Sequence, residues 1–417
     1  MEKKKKKKKK NKRKKTLPSN IPNNLDHESS FSLFEVIIII LISVIFGVII
    51  GYFLTYGNSN LSRVRSNTYL GEIVSTYNNI VDNYYESLDE KELSESAIKG
   101  MISSLDDPYS VFLDEGTTDS FNESVDGEYV GIGVTIAFQD EYDTILSIMN
   151  NSPAKDAGLQ VGDVILSIDG VDCHNKYPEE LNSLLSGKAG TSLNMEVLRG
   201  EEHLSFVLKR DIIEIQNVTS RMILEEDRHI GYIKISIFSS NSYDQFIKQL
   251  NKLEKKKMDS LIIDVRDNPG GHLLQARKIL SIFFPKKTVL YQIESNGIKK
   301  KVYSMNNDVK KYPVVILVNG ETASSAEVLA SCFQENYLSI HLVGSTTYGK
   351  GNVQKSVELS NGSSIKFTIE SWLTSKGVQV NEVGITPDIY EEQNPVYYVE
   401  YLEEDDTQLL KAISLLK

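Results

Sequence analysis

The sequence predicts a multidomain α+β protein: an apolar N-terminal helix, a helical segment, a small β-rich unit and a larger α/β core. Three observations carry this reading. The chain has 417 residues, 40% of them apolar, enough to bury two or more cores. Residues 36–54 (VIIIILISVIFGVIIGYFL) run for 19 positions without a charge. The apolar periodicity then changes twice. It is helical before residue 106, short and strand-like over 128–212, and an alternation of strands and helices from 213 onward. This composition excludes a wholly disordered chain, a collagen-like fibre and a small disulfide-stapled module.

The net charge of −11 is unevenly spread. Residues 1–15 hold 12 Lys/Arg against one Glu, a net +11, while the remaining 34 Lys/Arg face 56 Asp/Glu, a net −22. As a helix, the 19-residue run spans roughly 28 Å, about the hydrocarbon thickness of a bilayer. A cleaved signal peptide needs a shorter apolar run and a small-residue cleavage site, which YGNSNLSRVRS does not supply. The basic block precedes the helix, so positive charge stays inside. The expectation is a single-pass cell-membrane protein with a cytoplasmic N-terminus and its bulk outside, at a bacterial cell surface. The basic run then serves topology and touches anionic headgroups of the lipid bilayer. Nucleic acid is not an expected partner, because the acidic body repels phosphate. Cys173 and Cys332 stand 159 positions apart, and Cys332 falls in an apolar helical stretch as a small core residue.

The expected organisation is a basic tail over 1–30, a transmembrane helix within 31–54, and a linker with a helical region over 55–127. The β-rich unit follows over 128–212, the α/β core over 213–390 and a terminal helix over 391–417. In the helical region Leu70, Ile73, Val74, Tyr77, Ile80 and Val81 recur at helical spacing, then Ile98, Met101, Ile102 and Leu105. The turn Asp106–Ser110 (DDPYS) closes it. Within 128–212, runs such as VGIGVTIAF and LNMEVLR alternate with Gly and Asp turns and one short helix, PEELNSLLSG. Beyond 213, SLIIDVR and VVILVN read as strands between helices.

Three clusters with chemical capacity each end a β run. In LIIDVRDNPGG (261–271) the amides of Gly270 and Gly271 lack side-chain cover and suit either an oxyanion or a plain tight turn. In VVILVNGETASSAEVLAS (314–331) Ser324 or Ser325 opens a helix. A serine there is a helix cap, or a nucleophile with the helix dipole behind it. In LVGSTTYGKGNVQKSVEL (342–359) the spacing G-x4-G-K resembles a phosphate loop. Gly351, however, replaces the Ser or Thr that would hold magnesium, and a strand-like run replaces the helix. None of His27, His174, His203, His229, His272 and His341 has an evident orienting carboxylate. A lysine freed of its proton by burial can replace histidine as base. Lys350, between two glycines at the end of a β run, is such a lysine, and Gln354 stands four residues on to aim it.

In this order, the clusters resemble the C-terminal processing peptidases, or tail-specific proteases, serine endopeptidases with a Ser/Lys dyad. The likeness runs over roughly residues 69–390. It is anchored by LDDPYSVFL (105–113), GEYVGIGV (127–134), SPAKDAGLQVGDVILSIDG (152–170), LIIDVRDNPGG, TASSAEVLA (322–330), YGKGNVQ (348–354) and GITPDI (384–389). The resemblance implies a PDZ domain over 128–212 and a serine peptidase core over 213–390. It selects Ser324, three residues before Glu327, as nucleophile, Lys350 as base and Gln354 as its support. It places the oxyanion hole on the backbone of Gly270, Gly271 and Ser325, with no metal and no cofactor. An acidic position once proposed as a third catalytic group maps near Glu335. A PDZ domain captures the free C-terminus of a protein or peptide substrate on backbone amides. Here that loop is Val130, Gly131, Ile132, Gly133 and Val134. Leu181 and Leu185, one helical turn apart, either line its pocket or pack the core. Relatives of this type gate the protease through the PDZ domain, and the amphipathic ends suggest a homodimer. The alternative is a membrane-tethered PDZ scaffold with a vestigial peptidase domain, against which the intact Ser324, Lys350 and Gln354 argue.

Overall fold

The computed structural model describes residues 34, 38, 40–48, 68–139, 142–338, 340–400 and 402–416. The charge-free run 36–54 lies partly outside them. Its described residues, Ile38 and those of 40–48, are helical and exposed. Among the described residues no helix is long and apolar enough to cross a membrane. The basic tail 1–30 is outside the described residues altogether. The chain divides into two units at Leu93/Ser94. In the first, the helix Thr68–Asn83 buries none of its residues, and Leu70, Ile73, Val74 and Ile80 lie along an exposed apolar side.

The second unit is organised by a six-stranded sheet. Its order is Val218–Glu225, Arg228–Ile235, Ser260–Asp264, Val314–Val318, Ile340–Gly344 and Ile389–Tyr390. The first pair is antiparallel and every later neighbour is parallel. The central strands, SLIID and VVILV, are buried at every position, as parallel strands covered on both faces must be. Their side chains divide by alternation. Leu261, Ile263, Val314, Ile316 and Val318 join the larger core with the helices Ser242–Lys255, Leu273–Phe283 and Ser325–Asn336. Ile262, Val315 and Leu317 point the other way, onto Leu409, Ala412 and Ile413 of the C-terminal helix Thr407–Leu415 and onto Leu416 just past its end. Both cysteines are buried and free, Cys332 in the larger core.

A second sheet, entirely antiparallel, is centred on Ser364–Leu373. Asn352–Glu358, Val289–Ser295 and the short strand Val111–Leu113 pair with it, and Ile298–Tyr303 extends it. The region 55–127 is thus not helical throughout: after the DDPYS turn the chain adds a strand to this sheet. The helix Glu115–Asp126 follows and ends at Gly127, whose carbonyl accepts from Asn241 Nδ2 and from the Ile215 amide, each at 2.8 Å. A two-strand ribbon, Glu128–Gly131 with Asp211–Glu214, leads into and out of the β-rich unit. That unit has its own sheet, from Val134–Gln139 to Glu202–Lys209, and its own core around Ile145, Ile165, Leu193 and Met195.

The C-terminal segment is a short helix Tyr397–Glu400, a 3₁₀ turn Glu403–Asp405 and the helix Thr407–Leu415. A buried ion-pair network fastens it to the sheet. Arg266, just past the strand Ser260–Asp264, donates to Asp264 and to both carboxylate oxygens of Asp406, each at 2.8 Å. Asp406 also caps the helix by accepting from the Leu409 amide. Burial works against the charge of Asp406, but the Arg266 guanidinium outweighs it and holds the carboxyl below the usual range. Its contribution to stability is therefore complete above the ordinary carboxylate pKa and is lost as pH falls through the lower folded value. Asp406→Ala, which leaves Arg266 partly unpaired, is expected to cost about 3 kcal/mol in urea unfolding at pH 7. An unchanged midpoint would contradict this role of the network.

Candidate active site

Three adjacent parallel strands, Ser260–Asp264, Val314–Val318 and Ile340–Gly344, end on the same side of the sheet, where open α/β sheets place their sites. Each leads into one of the clusters singled out in the sequence. Asn268 binds the first loop to its surroundings: its side chain donates to the Ile235 carbonyl at 2.8 Å, and its carbonyl accepts from the Ala323 amide at 2.9 Å. Ser325 Oγ donates to the Gly271 carbonyl at 2.8 Å. The serine loop and the Asn-Pro-Gly-Gly turn are thus laced together.

Ser324 stands at the head of the helix Ser325–Asn336 with φ 55° and ψ −118°, an unfavourable conformation for a residue with a Cβ. Such a turn lifts a side chain clear of the sheet edge. Gly270, at φ 105°, lies directly beside it. A Cβ on Gly270 would stand 2.7 Å from Ser324 Cβ, so only glycine permits the approach. The Gly270 amide is already donated to Asn268 Oδ1 at 2.8 Å. It therefore drops out of the three amides expected to form an oxyanion hole. The amides of Gly271 and Ser325 donate to no other described residue and remain open.

Glu327, one helical turn on, is completely buried and accepts four hydrogen bonds. Its Oε2 takes the amides of Ser324 at 2.8 Å and Lys350 at 2.9 Å; its Oε1 takes the Gly349 amide at 2.8 Å and Thr347 Oγ1 at 2.6 Å. A single carboxylate thus fixes the serine turn and the lysine loop against each other. The Lys350 carbonyl accepts from Trp372 Nε1 at 2.8 Å, so that residue is held from both sides. Gly349, at φ 85°, passes so close to Gly384 that a Cβ would lie 2.8 Å from its amide. A strand, not a helix, follows the lysine, which removes the remaining likeness to a phosphate loop.

Lys350 is half-buried, with Nζ 5.1 Å from the centre of the Tyr109 ring. Burial, reinforced by the nearby Lys366 charge, pushes its amine below the ordinary lysine value, while Glu327 and Asp107 pull it back up. Among the described residues no hydrogen bond joins Ser324 Oγ to Lys350 Nζ; the backbones are set and the side chains are not engaged. Gln354 donates to Thr368 Oγ1 at 3.4 Å. Glu335 accepts from Ser375 and from the Lys376 amide, at the other end of the helix from Ser324. His272 pairs with Ser240 at 3.1 Å. The residues that sequence reasoning used only as landmarks or missed are Glu327, Asp107, Tyr109, Thr368 and Trp372. The Ser-x-x-Glu capping-box spacing was the available signal for Glu327.

The β-rich unit carries a second site. A cavity of 1320 Å³ is lined by Val130–Val134, by Leu185 and Ile212, and opposite them by the helix Glu115–Asp126 through Asp119, Glu123 and Asp126. The amides of Ile132 and Gly133 donate to no other described residue, so the loop presents open donors. Leu185 faces this cavity, but Leu181 is wholly buried among Ile145, Ile165 and Leu193 and is core, not pocket.

Comparison with known proteins gives a family to each part. Residues 229–391 match peptidase family S41, residues 144–199 a PDZ domain, and residues 56–117 the N-terminal domain of the activating protease CtpB. The carboxy-terminal processing protease CtpB of Bacillus subtilis (strain 168) is 38% identical over 334 residues, 79% of this chain and 69% of that one. CtpA of the same organism is 34% identical over 360 residues, 85% of this chain and 76% of that one. Among solved structures, a photosystem II D1 C-terminal processing protease aligns over 82% of this chain and 93% of its own, with 25% identity and a TM-score of 0.46. With more than two thirds of each Bacillus relative covered at over 30% identity, this chain belongs to the carboxy-terminal processing serine proteases of peptidase family S41.

Proposed function

We propose that this protease cleaves exported proteins with a Ser324/Lys350 dyad, after its PDZ domain has taken hold of the substrate's free C-terminus. The observation that carries the reading is the pair of amides, Ser324 and Lys350, held on one oxygen of Glu327. With its amine depressed by burial, Lys350 accepts the proton of Ser324 Oγ, and Oγ attacks the peptide carbonyl. The open amides of Gly271 and Ser325 receive the developing oxyanion, in place of the Gly270/Gly271/Ser325 set read from the sequence. The C–N bond then breaks as the Lys350 ammonium returns its proton to the leaving amine, and water hydrolyses the acyl-enzyme. The unengaged side chains fit an enzyme without substrate, whose catalytic hydrogen bonds tighten only in the bound complex. The tail's carboxylate is read as seated on the open amides of Ile132 and Gly133, its last side chain against Leu185.

Ser324→Ala and Lys350→Ala are each expected to lower kcat/KM by about 10⁴-fold or more on a peptide with a free C-terminus, while tail binding by fluorescence anisotropy stays intact. Near-normal cleavage by either variant would sink the dyad. Because the base is a neutral amine, activity rises as pH rises through the Lys350 pKa, and the rising limb lies below the ordinary lysine range; a flat pH–kcat profile would speak against an amine base. We further read residues 36–54 as the single membrane crossing, with 1–30 cytoplasmic and the protease outside, as the charge split supports. Protein lacking residues 1–54 is then expected in the soluble fraction while the full chain stays with the membrane after alkaline carbonate washing. Full-length protein released by that wash would overturn the anchor.

A further inference from the structure

The turn Asp106–Ser110 precedes every residue of the proposed dyad and its oxyanion amides in sequence, yet its contacts end at Lys350. Asp107 Oδ1 accepts from the Tyr109 amide at 3.1 Å, and Oδ2 accepts from Ser110 Oγ and from Thr368 Oγ1, each at 2.6 Å. Ser110 Oγ in turn accepts from the Thr368 amide at 3.2 Å. Thr368 stands opposite Gln354 in the paired strands Asn352–Glu358 and Ser364–Leu373, and Gln354 Nε2 donates to its hydroxyl oxygen. Tyr109, held by Asp107, lays its ring against the Lys350 amine.

The direction of this chain follows from donor arithmetic. An ionised carboxylate only accepts, and a threonine hydroxyl has one proton. Thr368 spends that proton on Asp107, so toward Gln354 it can only accept. Gln354 must therefore turn its NH₂ group to Thr368, which leaves Oε1, its sole acceptor, for an amine. Although burial pushes Asp107 up, hydrogen bonds from Ser110, Thr368 and the Tyr109 amide hold its carboxyl below the usual range, so it is an anion at neutral pH.

We propose that Asp107 is a positioning residue of the protease: it sets the polarity of the Asp107–Thr368–Gln354 chain so that Gln354 offers its carbonyl oxygen to Lys350, and it holds Tyr109 over that amine. The inference rests on the reading of Lys350 as the base. It assigns a role in the chemistry to an N-terminal turn that touches neither the nucleophile nor the oxyanion amides.

The test is a kcat and KM series over pH with the full-length enzyme and a peptide substrate with a free C-terminus. The charged and titratable groups around the amine are Asp107 and Tyr109 from the turn, Glu327 from the helix, Lys366 from the neighbouring strand, and Tyr348 and Glu382 beside Tyr109. Asp107→Asn and Thr368→Val are each expected to lower kcat on the order of ten- to a hundredfold, a fraction of what a full general base supplies, with KM changed less than about twofold. Thr368→Ser, which keeps the hydroxyl, recovers most of the loss. Asp107→Asn removes an anion that favours the ammonium, so its rising limb moves to lower pH; Thr368→Val keeps that anion and its limb stays in place. Wild-type kcat in both variants overturns the proposal, as does an equal loss in Thr368→Ser and Thr368→Val. Should Asp107→Asn fail to fold by circular dichroism, the Thr368 pair decides alone. Ser324→Ala and Lys350→Ala run beside them: if these are dead while Asp107→Asn and Thr368→Val are fully active, this inference alone fails, whereas cleavage by Lys350→Ala overturns both.

Discussion

The site depends on one buried carboxylate. Glu327 is fully removed from solvent, and an unpaired carboxyl group there would carry a large desolvation penalty. Four donors offset it, three of them backbone amides that cannot rotate away. The arrangement therefore works in both directions. The loops stabilise the carboxylate only when they stand where they do, and the carboxylate holds Ser324 and Lys350 in a fixed relation although 25 residues of helix, strand and turn lie between them. Thr347 carries the constraint further, since its hydroxyl also accepts the Ile385 amide at 2.7 Å and draws in the segment 384–389.

Such close lacing requires backbones without side chains between them. Gly270 meets Ser324, and Gly349 meets Gly384, at separations where a methyl group would force the loops apart. Ser324 itself bears the strain of the turn, with its positive φ, because the Glu327 bond on one side and the Asn268–Ala323 bond on the other leave it little choice. What the structure does not fix is equally informative. The side chains of Ser324 and Lys350 are free of each other, while their backbone amides share one oxygen of Glu327.

Much of this frame was legible in the sequence because it is local. A buried strand ending in Asn-Pro-Gly-Gly, a serine heading a helix and a lysine between glycines each announce themselves within ten residues. The α/β core followed from strand–helix alternation. The antiparallel sheet did not, because its central strand Ser364–Leu373 pairs not only with its hairpin neighbour 352–358 but also with residues 111–113 and 289–295, and separations of that size leave no periodic trace. The same reason hid Asp107: its partner Thr368 lies 261 positions away. Gly270 was misjudged because amides look alike until the side chain of Asn268, two residues earlier, is seen to take one of them. Leu181 and Leu185 share a helical face and both join the core, but only Leu185, at the end of the helix, also lines the cavity.

The two sites are joined by a single stretch of chain. The turn that places Tyr109 beside Lys350 runs into the strand Val111–Leu113, then into the helix Glu115–Asp126 that walls the cavity beside Val130–Val134, and ends at Gly127, bonded to Asn241 and Ile215 of the core. Both ends of this stretch are anchored, and its middle faces the cavity. A tail that binds one placement of that helix more tightly than another shifts the population of the whole stretch by its differential affinity, and no more than that. Tyr109 and Asp107, which stand beside the Lys350 amine, belong to the same stretch and so have a direct covalent path to the cavity wall. On the proposed reading of the two sites, this stretch is a route between them that leaves Ser324, Glu327 and the central sheet in place. It needs only that some twenty residues, 107–127, have two arrangements between which the tail discriminates.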